Sequence, residues 1–309
     1  PGSPSSSRLY QRISATEPRD AMPPPHAKRR LTATEIATLE RWIEEGARYE
    51  QHWSLVPPTA ADPPAVSAAD WARNEIDRFV LIRLEADGTT PSPEASRERL
   101  IRRLSFDVTG LPPTPREIDA FLADRERGAY ERLVDRLLAS SRYGEHMAVG
   151  WMDLARFADT YGYQSDVYRD MSPWRDWVIR AYNENLPFDD FVTWQVAGDL
   201  LPNASRDQRL ATAFNRNHRQ TNEGGSVEEE FRVDYVADRV DTFGAAFLGL
   251  TLKCARCHDH KFDPVTQRDY YSLFAFFNTI DESGLYSHYT SAVPTPSLLM
   301  PDAAAEEEL

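Results

Sequence analysis

Only two cysteines occur in this chain of 309 residues, and they stand three apart in Leu252-Lys253-Cys254-Ala255-Arg256-Cys257-His258. Thiols at that spacing, with a histidine immediately after them, match the attachment signature of a c-type haem. The chemistry needs that order. Cys254 and Cys257 can each add to a vinyl group and fix one edge of the macrocycle, and the imidazole of His258 then reaches the iron as proximal ligand. Scattered at random, two cysteines and seven histidines would spell the motif roughly once in 7,000 chains of this length. The alternatives are half a zinc site, completed by His258, His260 or His218, and a redox dithiol. The first lacks a second CxxC or a spaced histidine pair, and the second lacks a βαβ context.

A haem held by His258 has a second axial position. A strong ligand there makes an electron carrier, and an open position makes a sensor or an enzyme. His218, in the polar run Asn215 to Gly225, is the candidate sixth ligand, ahead of Met147, Met152 and His146. His260 lies too close to His258 to reach the opposite face. With Asp259 and Asp263 it forms either a site for a propionate, a substrate or a second metal, or a hydrogen-bonded turn. Arg256 and Lys261 are natural partners for haem propionates. Arg156 with Asp159, and Asp238 with Arg239, are spaced for buried ion pairs. Nothing sets two carboxylates across a cleft as glycoside cleavage requires, so no catalytic residue is assigned. The aromatic set Trp151, Trp174, Trp177, Trp194, Tyr161 and Tyr163 reads mostly as core, with stacking on porphyrin or sugar as the other use.

The elements that must position these groups read as helices. Ile76, Phe79, Val80 and Leu84 form one helical face; Leu100, Ile101 and Leu104 form another over 97–106. Thr114-Pro115-Arg116-Glu117 carries an N-cap, a proline at the first position and a glutamate at the third. Further apolar stripes run through Tyr130 to Leu138 and Met147 to Ala158. Ser172-Pro173 opens a helix, and Asp189 caps another. The longest helix, 228–248, delivers the chain to the cysteines, and a last helix covers 266–277. Strand-period runs are scarce, so the expected fold class is all-α.

Four segments follow. Residues 1–47 start Pro- and Ser-rich, then pass Met22-Pro23-Pro24 into a capping box at Thr32 and Glu35 and a helix with Trp42 and Ile43, ended by Gly46. Residues 48–70 are a Pro-rich linker, 71–295 the helical domain and 296–309 a tail. The net charge of -14, from 35 basic and 49 acidic residues, argues against nucleic acid and anionic membrane as partners. No apolar run reaches bilayer length. The chain opens at Pro1 without a signal peptide, which marks a processed chain or a fragment.

Residues 1–47 resemble the tail of a small class I cytochrome c module, in which a loop methionine followed by prolines ligates the iron. That resemblance makes Met22 the candidate ligand of a truncated N-terminal module, whose own CxxCH is missing here. Over most of residues 50–280 the chain resembles a family of exported cytochromes abundant in planctomycetes. The strings that carry this are Leu100-Ile101-Arg102-Arg103-Leu104-Ser105-Phe106-Asp107, Thr109-Gly110-Leu111-Pro112-Pro113-Thr114-Pro115, Trp151-Met152-Asp153-Leu154-Ala155-Arg156, Val196-Ala197-Gly198-Asp199-Leu200-Leu201-Pro202, Asp238-Arg239-Val240 and Cys254 through Pro264. The resemblance implies a cytochrome c module joined to a larger helical haem domain and a further C-terminal domain absent here. It also implies a setting near polysaccharide-degradation machinery. The expected protein is periplasmic or displayed at the cell surface. It carries covalent haem c and its iron, and passes electrons to a redox partner protein. The rivals are a haem enzyme with an open distal site, acting on peroxide, oxygen or a carbohydrate-linked substrate, and a surface scaffold with structural haem.

Overall fold

Local capping chemistry sets most of the helix starts. In the computed structural model, which describes residues 2–163, 165–286 and 295–300, reciprocal capping boxes open five helices. They pair Thr32 with Glu35, Asn74 with Asp77, Thr114 with Glu117, Ser205 with Gln208 and Thr266 with Asp269. Twelve α-helices form among the described residues, no strand or sheet does, and three isolated β-bridges are the only extended pairing. The fold is all-α.

The chain divides into two units, at Pro93 and Glu94. The first holds α1 (Arg8–Ile13), α2 (Ala33–Glu44) and α3 (Glu75–Ala86), with Ile13, Ile43 and Leu81 buried. The face expected inward on α3 is turned out: Ile76, Phe79 and Val80 are exposed, and Leu81 is buried instead. The main-chain N–H and hydroxyl of Ser67 both donate to Glu85, at 2.8 and 2.6 Å. That strap turns the stripe through Leu81 and Glu85 toward its own unit. Helix α3, the first of the domain expected from residue 71, falls in the first of these compact units.

The second unit contains α4 (Arg97–Thr109), α5 (Pro115–Ala123), α6 (Ala129–Leu138), α7 (Ser141–Leu154), α8 (Ser172–Asn183), α9 (Phe188–Ala197), α10 (Arg206–Ala211), α11 (Glu228–Phe243) and α12 (Gln267–Phe277). Pro187, not Asp189, is the N-cap of α9; Asp189 and Asp190 sit in its first turn, where carboxylates favour the helix dipole. Three apolar clusters hold the unit. Ile101, Phe121, Leu133 and Leu137 join α4 to α5 and α6. Trp151, Trp174, Trp177, Phe191 and Phe214 form an aromatic core, with Trp177 stacked on Phe191 at 5.6 Å between centroids. Val236, Val240, Leu252, Ala255, Tyr270 and Phe277 lock α11 and α12 around the cysteine segment.

The helix expected over 228–248 is α-helical only to Phe243 and finishes as a π-turn, Gly244–Leu248, before Gly249 at φ 63° reverses the chain. A side chain at Gly244 would meet Leu252 at 2.5 Å. Gly244 is the point at which the cysteine segment folds back on the helix that delivers it. The tail expected over 296–309 lies outside the described residues beyond Met300.

Candidate functional site

Lys253–Arg256 form a single 3-10 turn, and the N–H groups of Cys257 and His258 both point to the carbonyl of Cys254, at 3.3 and 3.4 Å. One residue of the motif faces in: Ala255 is fully buried in the cluster between α11 and α12. Cys254, Cys257 and His258 consequently face out, and both thiols are free. His258 Nδ1 lies 2.8 Å from the main-chain carbonyl of Asp259. An N–H at Nδ1 donating to that carbonyl leaves Nε2 as the bare nitrogen, the tautomer an axial ligand needs. Tyr271 is exposed, and its hydroxyl donates to the Arg256 carbonyl at 3.1 Å. Two exposed free thiols and an imidazole with Nδ1 engaged are the residue types that would hold a covalently attached macrocycle. Among the described residues no three His, Cys, Asp or Glu side chains converge to hold an ion.

Arg256 pairs with Asp234 at 2.9 Å, which raises its pKa, and the ammonium of Lys261 lies 5.1 Å from the Phe262 ring centroid. A propionate would compete with Asp234 for Arg256. Of the two options for His260, the hydrogen-bonded turn is what forms. Its Nδ1 accepts the N–H of Asp263 at 2.9 Å, and Asp259 Oδ1 accepts the N–H of Gln267, at the start of α12, at 2.8 Å. Asp241, beside Lys253 and Arg256, has its pKa raised by burial, and its Oδ1 has no hydrogen-bond partner.

His218 is buried inside a polar cluster that sequence reasoning did not assemble. Its Nδ1 lies 3.3 Å from the Asn215 carbonyl, and its Nε2 lies 3.3 Å from Gln220 Nε2 and 3.6 Å from Glu282 Oε2. The Arg239 guanidinium sits 3.4 Å from Nδ1 and pairs with Glu282, which also takes Arg216 at 2.7 Å. Burial, followed by the charges of Arg239, Arg216, Arg156 and Arg169, holds the His218 pKa well below its ordinary value, so the ring is neutral. Both ring nitrogens therefore have protein neighbours, and ligating an iron would require His218 to leave them.

The arginines expected in buried pairs take other partners. Arg156 pairs with Asp238 across 82 residues in a half-buried contact, and Arg239 pairs with Glu282 across 43 in a buried one. Arg156 takes φ 58° at the end of α7, and burial lowers its pKa to about 10. Met22 belongs to the first unit; its N–H donates to the Arg12 carbonyl at 2.9 Å and its side chain is exposed. Met147 is exposed on α7. Glu282, the carboxylate at the centre of the polar cluster, escaped the sequence reading because its partners are far away along the chain.

An all-α unit with an outward-facing CxxCH turn defines the class. Residues 75–282, more than half of the chain, match the family described as PSCyt2, protein of unknown function (DUF1549), and the chain belongs to that family. No curated protein and no solved structure matches. No helix among the described residues is long and apolar enough to cross a membrane.

Proposed function

We propose that this chain is an exported c-type haem protein that moves electrons between redox partners. One observation carries the reading: Cys254, Cys257 and His258 are all exposed at a single anchored turn, with His258 Nδ1 engaged by the Asp259 carbonyl. Bound there, the haem supplies one-electron chemistry at its iron. The chain's own residues hold it: two thioether bonds from the thiols, and an imidazole fixed in one tautomer by the Asp259 carbonyl. Attachment of this kind is made outside the bacterial cytoplasm, so a periplasmic or surface location follows from the same reading. Residues 1–47 then represent the end of a preceding cytochrome c module, with Met22 as its ligand. A place beside polysaccharide-degradation machinery rests on the family resemblance alone.

The test is maturation of the chain with haem-attachment machinery. The purified chain is expected to gain the mass of one haem and to keep its colour in denaturant. Cys254→Ser with Cys257→Ser is expected to lose both. A colourless wild-type chain of unchanged mass would refute the proposal.

The second reading, a haem enzyme with an open distal site, is favoured by the neighbours of His218 described above, which compete with the iron for the sequence's candidate sixth ligand. Spin state separates the two. Six-coordinate low-spin bands in both oxidation states support the carrier, and a high-spin ferric form that binds cyanide quickly supports the enzyme. His218→Ala is expected to leave the spin state unchanged; conversion from low to high spin would make His218 the ligand.

A further inference from the structure

A second site lies in the same unit, built by α8, α10, the loop before α8 and the segment 295–300. It is a cavity of about 350 Å3 with a mainly apolar wall that includes Met171, Trp174, Leu210 and Leu298. Cavities of this size and lining, with a few fixed polar groups, are the usual form of small-molecule sites. Three polar atoms on residues of this wall, each shielded from solvent, lack partners among the described residues. Trp174 and Gln220 are each 1% exposed, yet the indole N–H of the first and Oε1 of the second make no hydrogen bond. Buried polar atoms are almost always paired, so two orphans on the side chains of one cavity wall leave hydrogen-bonding capacity beside the cavity. The third is Nε of Arg169, whose Nη1 donates only to the main-chain carbonyls of Arg216 and His218, at 2.9 and 3.1 Å.

The charges favour an anion. Arg169 is largely buried, and burial and the neighbouring Arg216 lower its pKa to about 10, so it stays charged at neutral pH. Among the described residues none of its hydrogen bonds goes to a carboxylate, although the charge of Asp159 acts on it. Arg209 and Arg216 also line the cavity, against Asp170 and Asp199. Asp170 is already committed: it accepts the Ser172 N–H at 3.0 Å and the Ser172 hydroxyl at 2.6 Å. A guanidinium fork in a partly dry wall recognises a carboxylate or phosphate far better than a neutral group.

We propose that this cavity binds a small organic anion, with its carboxylate or phosphate at Arg169 and its apolar body against Met171, Trp174 and Leu298. The site is independent of the haem turn, and the proposal stands whether or not haem is attached.

The test is calorimetric titration of the full chain with naphthylacetate, naphthyl phosphate and the neutral naphthylacetamide. At least one anion is expected to bind ten or more times tighter than the amide, and the preferred one assigns the seat to carboxylate or to phosphate. Arg169→Gln is expected to erase that preference and leave the affinity of the amide within about twofold. Arg169→Lys, which keeps the charge, is expected to retain part of it. Leu298→Trp alters a partly exposed wall residue, fills the cavity without touching the core, and is expected to block all three probes. No binding by any probe, equal binding of anions and amide, or a preference that survives in folded Arg169→Gln would overturn the proposal.

Discussion

His218 shows how far a single residue's reading depends on what surrounds it. In sequence it is a histidine in a polar loop, and the same loop in the structure is the floor of a buried ion network around Arg239 and Glu282. Unfolded, the imidazole takes up a proton near pH 6.5; folded, it resists protonation because burial and four arginines oppose it. Its contribution to stability is therefore complete above about pH 6.5 and is lost as pH falls, by up to about 1.4 kcal/mol per pH unit. Denaturant titrations from pH 7 to 5 are expected to show this slope, and His218→Gln should flatten it. Arg239→Met leaves Glu282 buried with less compensation and is expected to cost about 3–5 kcal/mol by the same titration at pH 7. The CxxCH motif and the turn it forms were legible because they are written in consecutive residues. The partners of His218 were not, because Arg239 and Glu282 lie 21 and 64 positions away and only the fold brings them together.

At the scale of elements, helix starts were the most readable feature. Capping boxes are local, and those expected at Thr32 and Thr114 form as written. Inward faces were less readable: α3 follows a strap from Ser67 that no helical period announces. The end of α11 was missed for a similar reason. A continuous apolar pattern through Phe247 reads as a continuous helix, whereas the structure widens it into a π-turn so that Leu252 can close over Gly244. Gly244→Ala is expected to destabilise the unit by about 1–3 kcal/mol through overpacking against Leu252, measured by thermal melting, and to lower the yield of any haem attachment more than a surface control. Thr266→Ala removes the cap of α12, which anchors the far side of the cysteine turn, and should cost about 1 kcal/mol in the same melt.

For the whole molecule, two starts of the helical domain can be told apart by cleavage. The Pro-rich linker over 48–70 places it at residue 71, close to residue 75 where the family match begins, whereas the division into compact units falls between Pro93 and Glu94. Brief subtilisin treatment followed by mass spectrometry is expected to yield a resistant fragment starting close to Glu94; a fragment starting near residue 71 would return α3 to the second unit. Charge has a similar hidden distribution. Arg156, Arg169, Arg216 and Arg239 are drawn inside, so the skin of this chain is more acidic than its total of -14 conveys. The burial of Ala255 bears on anyone who would transplant the cysteine loop. The first variable letter of the motif is dictated by the scaffold beneath it, so a grafted loop with a long side chain there would be rejected by the host whatever the cysteines later bind.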